Sequence, residues 1–172
     1  MNRLNRILWG GLVCGLVFFA SCGYQFEGGG YLHQDVTRVG VTILKNNSSE
    51  TGAGITFTNA FIEEILERTD TTVVDPSRAT VVLEGTIKSI TFSTLSRSTT
   101  ESVVGRRAWA TVDVKLIRTD GEVIWSVKDF TSHEDYTVSE DKVEDEQNKR
   151  EAVAKIATRT AEKLVSKLLT NF

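Results

Sequence analysis

The chain has 172 residues, 40% of them hydrophobic, with 20 basic and 23 acidic residues giving a formal net charge of −3. That length suits one domain with a sizeable core, and the acidic balance argues against a non-specific nucleic-acid binder, which carries a basic excess. Two cysteines and two histidines, far apart and without metal-ligand spacing, argue against a zinc site.

The amino terminus carries Arg3 and Arg6, an apolar run from Ile7 to Phe19, the small pair Ala20 and Ser21, and then Cys22. A basic start, a short apolar stretch and small residues before a cleavage point describe a secretory signal. The run falls short of the roughly 20 apolar residues of a membrane-spanning helix, and Gly10, Gly11 and Gly15 weaken it further as a permanent helix. The ending Phe19-Ala20-Ser21-Cys22 resembles a bacterial lipobox, although Phe19 stands where an aliphatic residue is preferred. Cys14 is a poorer candidate because the bulky Val13 precedes it. Cys22 is therefore expected to be the lipidated first residue of the mature protein. Residues 1–21 are then signal peptide, 22–34 a glycine-rich lipid-anchored tether, and 35–172 one domain. Without residues 1–21, Lys+Arg falls from 20 to 18 while Asp+Glu stays at 23, a net charge of −5.

Val36 to Leu44 is β-branched and alternating, a strand. Lys45 to Gly54 is a polar loop; its Asn47-Ser48-Ser49 matches a glycosylation acceptor and is read as a turn. Thr56 to Arg68 places Phe57, Phe61, Ile62, Ile65 and Leu66 at helical spacing, a core-facing stripe. After the turn at Asp75-Pro76 come three strands. In the first, Val81, Leu83 and Ile87 share one phase while Ile90 and Phe92 take the other, which predicts a β-bulge near Lys88. In the second, Ala108, Ala110, Val112, Val114 and Leu116 alternate with Thr111, Asp113 and Lys115, leaving one wet face. Asp120-Gly121 marks a tight hairpin, and the returning strand opens with Val123, Trp125 and Val127, with Ser126 and Lys128 on its other face. Asp141 to Leu169 is one long helix, acidic at its start and basic towards its end, as the helix dipole favours. The predicted class is α+β: two α-helices on one face of a four-stranded mixed, mostly antiparallel sheet.

No nucleophile elbow, phosphate-gripping glycine loop or triad signature is present. The pattern predicts a binding or scaffolding module rather than an enzyme, with no cofactor and no metal.

The lipobox with "CGYQFEGGG", the segment "VGVTILKNNSSETGAGITFTNAFIEEILER", the strand "ATVVLEGTIKSI" and the terminal amphipathic helix, in that order and spacing, resemble the LptE family of lipopolysaccharide-assembly lipoproteins. The resemblance covers nearly the whole mature chain; His33 stands where many relatives have proline. It implies a protein held on the periplasmic side of the outer membrane. There it would plug the LptD β-barrel in a one-to-one complex and assist lipopolysaccharide insertion. A strand followed by an Asn-Asn-Ser loop also occurs in periplasmic lipoproteins that activate a cell-wall synthase or build a secretion assembly, and these are the alternative.

Lipopolysaccharide phosphates would need a local basic cluster on this acidic chain. The candidates are Arg97, Arg106, Arg107 and Lys128. Arg106 and Arg107 are adjacent in a strand and so point to opposite faces, while Arg97 and Arg106 flank the loop Ser98 to Gly105. The hairpin tips near Ser96–Arg107 and Thr119–Glu122 are expected to form the lobe that enters the barrel.

Overall fold

The computed structural model describes residues 30–32, 36–97 and 103–170, without the side chains of residues 96, 97, 103 and 104. Cys22, the signal segment, most of the tether and the Arg97 side chain thus lie outside the described residues. The elements are β1 (Arg38–Val41), β2 (Lys45–Asn46), α1 (Ala53–Arg68), β3 (Thr72–Val74), a 3-10 turn (Pro76–Arg78), β4 (Val81–Arg97), β5 (Val103–Arg118), β6 (Val123–Thr137) and α2 (Lys142–Thr170).

Among the described residues, the α+β class, the two helices and the mixed sheet are as expected; the strand count is not. Six described strands form the sheet, in the order β3-β1-β4-β5-β6, with β2 also alongside β4. Pairings of β1 with β3, β1 with β4 and β2 with β4 are parallel, and those of β5 with β4 and β6 are antiparallel. The extra strands are β2 and β3. β1 covers only Val81 to Leu83 of β4. The chain returns at Lys45–Asn46 to pair with Thr86 and Ile87, serving backbone groups that β1 leaves open.

One alternation phase runs through the three long strands. Leu83 pairs with Leu116, Ile87 with Val112, Ile90 with Ala110 and Phe92 with Ala108. On β6 the same phase continues through Trp125, Phe130, Ser132 and Tyr136. These residues share a core with Phe57, Phe61 and Ile65 of α1 and Ile156, Leu164, Val165 and Leu168 of α2. The predicted bulge is real: register slips between Ile87 and Ser89, leaving Lys88 as the extra residue. A second slip lies between Val112 and Val114, opposite Lys128 and Asp129. There Asp129 adopts φ 54°, a strained left-handed conformation, and its N–H donates to Asp113 Oδ1 at 2.7 Å.

Leu44 locks the β1–α1 connection. It is fully buried, its N–H donates to Thr58 Oγ1 at 2.9 Å, and the Thr58 hydroxyl donates to the Gly54 carbonyl at 2.6 Å. A Cβ at Gly54 would stand 2.6 Å from the Leu44 carbonyl oxygen, and one at Gly85 would stand 2.8 Å from Leu44 Cγ. Both positions need glycine for close approach. The Asn46 side chain shapes the following turn, accepting from Ser48 N–H at 3.0 Å and donating to the Glu50 carbonyl at 2.8 Å. The motif Asn46-Asn47-Ser48 is thus a structural Asx turn.

α2 also closes part of the outer edge of β6: Arg159 donates to the His133 carbonyl and Asn148 donates to the Thr137 carbonyl at 3.1 Å. At the other end Leu32, fully buried, donates its N–H to Thr71 Oγ1 at 3.0 Å. Gly30 to Leu32 thus meet the core beside the end of α1.

Candidate interaction surface

Residues of the opposite phase on β4, β5 and β6, the buried Gly105 excepted, are half-buried or exposed where described, with no described helix packed over them. This uncovered face holds two neighbouring features. Towards the β4–β5 connection, three rows stand in register: Ser93, Arg107 and Asp135; Thr91, Trp109 and His133; Ser89, Thr111 and Thr131. Trp109 sits at the centre, its ring centroid 4.7 Å from that of His133 and 5.7 Å from the Arg107 guanidinium carbon. Arg107 grips Asp135 with both arms, Nε to Oδ1 at 2.5 Å and Nη2 to Oδ2 at 2.8 Å. This hydrogen-bonded pair holds the Asp135 carboxyl below its ordinary range and raises Arg107.

The second feature is a shallow cavity of about 560 Å³ between β2 and the bulged region of the long strands, lined by Lys45, Lys115 and Lys128 among others. Lys115 Nζ is 3.1 Å from Glu84 Oε2. Beside the cavity, Lys88 bonds Asp129 and lies 4.0 Å from Asp113 Oδ2, which raises the lysine and ties the two bulges together. Among the described residues, neither Lys45 nor Lys128 has an acidic partner within ion-pair distance.

Arg107 and Lys128 thus share the uncovered face, but on separate features. Arg106 lies in the other phase, paired across the strands with Thr94 and Tyr136. The hairpin tips do not form one lobe. Successive turns of an antiparallel meander fall at opposite ends, so Thr119–Glu122 sits by the start of β4 while the β4–β5 connection sits at its far end. Sequence reasoning missed Lys45, Trp109 and His133 as parts of this face. The alternation of β5 could have flagged Trp109, since it shares the phase of Thr111 and Asp113.

A family model described as "LptE: Lipopolysaccharide-assembly" matches residues 36–168. The chain belongs to the LptE family. No individually curated protein matches it. Among solved structures, this LptE-family chain is similar to the rare lipoprotein B from Shewanella oneidensis, at 18% identity over 74% of this chain and 94% of that one, with a TM-score of 0.51. An uncharacterized lipoprotein B from Nitrosomonas europaea is similar at 13% identity, covering 83% and 88% of the two chains, with a TM-score of 0.51. Protein XCC0632 from Xanthomonas campestris is similar at 15% identity, covering 86% and 94%, with a TM-score of 0.52. At these identities the likeness establishes the LptE-type fold. Among the described residues no helix is long and apolar enough to cross a membrane.

Proposed function

We propose that this protein is an outer-membrane lipoprotein, anchored through Cys22 on the periplasmic side, that plugs and supports the LptD β-barrel in a one-to-one complex during lipopolysaccharide transport. The observation that carries this function is the family match over residues 36–168. The uncovered face agrees with it. A barrel lumen is polar, and this face is polar with its charges mostly paired, Lys45 and Lys128 excepted, which suits contact with a polar wall.

Of the basic candidates, Lys128 has the best setting for a lipopolysaccharide phosphate: it lines one cavity with Lys45 and Lys115, whose acidic lining residues Glu84 and Asp113 are engaged by Lys115 and Lys88, leaving Lys45 and Lys128 to bind. Clustered lysines create a local field that outweighs a net negative charge within a Debye length of about 8 Å. Arg107 would have to exchange Asp135 for the ligand. Arg97 and Arg106 would serve a second contact near the β4–β5 connection. Leu32 is buried beside Thr71, at the pole of the β5–β6 turn, which favours a tether leaving from that pole. The β4–β5 pole is then the one pointing away from the lipid anchor and leading into the barrel. The protein works by binding, without catalysis.

Two measurements test this. Mass spectrometry of the mature amino terminus is expected to find lipidated Cys22; an unmodified first residue at another position refutes the anchor. Extraction of outer membranes in mild detergent is expected to yield one complex with a heat-resistant β-barrel. A free monomer, with the barrel present, refutes the plug.

A further inference from the structure

Trp109 is a large, half-buried aromatic residue on the side of the sheet that no described helix covers, its indole flanked by His133 and Arg107. Each of its eight registered neighbours carries a hydrogen-bonding side chain: five serines or threonines, the pair Arg107 and Asp135, and His133. Because Arg107 and Asp135 neutralise each other, the patch offers an apolar ring in a polar, uncharged frame. An anion gains little there, in contrast to the lysine cavity. A pyranose matches this chemistry directly. Its C–H face stacks on an indole, and its hydroxyls bond to carboxylate, guanidinium, imidazole and hydroxyl groups around the rim.

We infer that Trp109 and its polar frame form a saccharide-binding platform, which takes a sugar of the glycan portion of lipopolysaccharide. The inference rests on the lipopolysaccharide-assembly function proposed above and adds a second subsite to it. The lysine cavity centres on residues 113–115 of β5, four to six positions from Trp109. At about 3.3 Å per residue the two lie roughly 13–20 Å apart on one face. One elongated glycolipid spans that distance with its phosphate on the lysines and a sugar on the indole.

The test uses the full mature chain and, as probe, lipid-free dephosphorylated core oligosaccharide released from lipopolysaccharide, followed by the indole N–H resonance of Trp109. That resonance is expected to shift saturably while that of the buried Trp125 stays in place. Trp109→Ala is expected to weaken binding about tenfold or more, and Trp109→Phe, which keeps a stacking ring, by no more than about threefold. An unmoved Trp109 resonance in the wild-type chain overturns the platform whether or not the variants fold. Equal binding of maltohexaose overturns the assignment to lipopolysaccharide glycan. Loss of barrel co-extraction in Trp109→Ala, with no oligosaccharide response in wild type, gives the face to the protein partner and also overturns it. The titration contains no barrel, so its failure leaves the plug function to be judged by extraction alone.

Discussion

Thr58→Val removes one hydroxyl and nearly nothing else. Thr58 is buried, and its oxygen is the acceptor for the Leu44 N–H, itself sealed inside the core. The Gly54 carbonyl keeps its place in the helix ladder, so the variant orphans one buried donor. Leaving such a group unpaired costs about 1–3 kcal/mol. For about 140 ordered residues the unfolding entropy is about 0.3 kcal/mol/K, so the melting temperature should fall by about 3–10 °C. Thr58→Ser keeps the hydroxyl and loses one methyl, a cost of about 1 kcal/mol. Thermal melts followed by circular dichroism rank the three chains. The expected order is wild type, then Ser, then Val. If Val melts within a degree of wild type, or above Ser, the Leu44–Thr58 bond is not what locks the connection. Because Leu44 precedes Lys45, a loosened connection should also weaken lipopolysaccharide binding at the lysine cavity.

Burial raises the Glu64 carboxyl above its ordinary range, even with Arg68 Nε 3.1 Å away. The folded state then holds that proton more tightly than the unfolded state, so this group's contribution worsens as pH rises from 4.5 through the raised value. Glu64→Gln is expected to melt higher than wild type at pH 7, with the gap closing towards pH 4.5; a lower melt at pH 7 refutes it. Asp135 has the opposite sign: its stabilisation is present above the unfolded value of 3.8 and is lost as pH falls through its lower folded value. In an acid titration, Asp135→Asn should differ from wild type at neutral pH and converge with it in strong acid. Gly54→Ala pushes a Cβ to 2.6 Å from a backbone oxygen and is expected to cost about 1–3 kcal/mol in urea unfolding, against a gain for an unstrained helical site. Lys128→Glu is expected to weaken phosphorylated lipopolysaccharide binding while leaving barrel co-extraction intact; unchanged affinity removes Lys128 from the phosphate site.

Long periodic segments made themselves known in the sequence. Phe57, Phe61 and Ile65 marked α1, the Ile87-to-Ile90 phase change marked the bulge, and Asp120-Gly121 marked the β5–β6 turn. β2 and β3 carried no such signal because two or three residues cannot display a period; β2 pairs with β4 where β1 stops, and β3 pairs along β1. The same limit hid the site. Lys45 joins Lys115 and Lys128 only through β2. Trp109 meets His133 and Arg107 meets Asp135 only through a β5–β6 register that the Asp129 bulge resets. Arg106 and Arg107 were separable from the start, since neighbours in a strand face opposite ways.

The closed edge of β6 bears on how this molecule behaves before it finds a partner. An outermost strand with bare backbone groups is a template for another chain's strand, and therefore for aggregation. Here Arg159 and Asn148 occupy two of the outward carbonyls, and Asp129 breaks the strand's straight run lower down. The opposite border is β3, only three residues long. The two borders of the sheet are thus poor templates for sideways zippering, and the broad uncovered face is left as the larger surface open to contact.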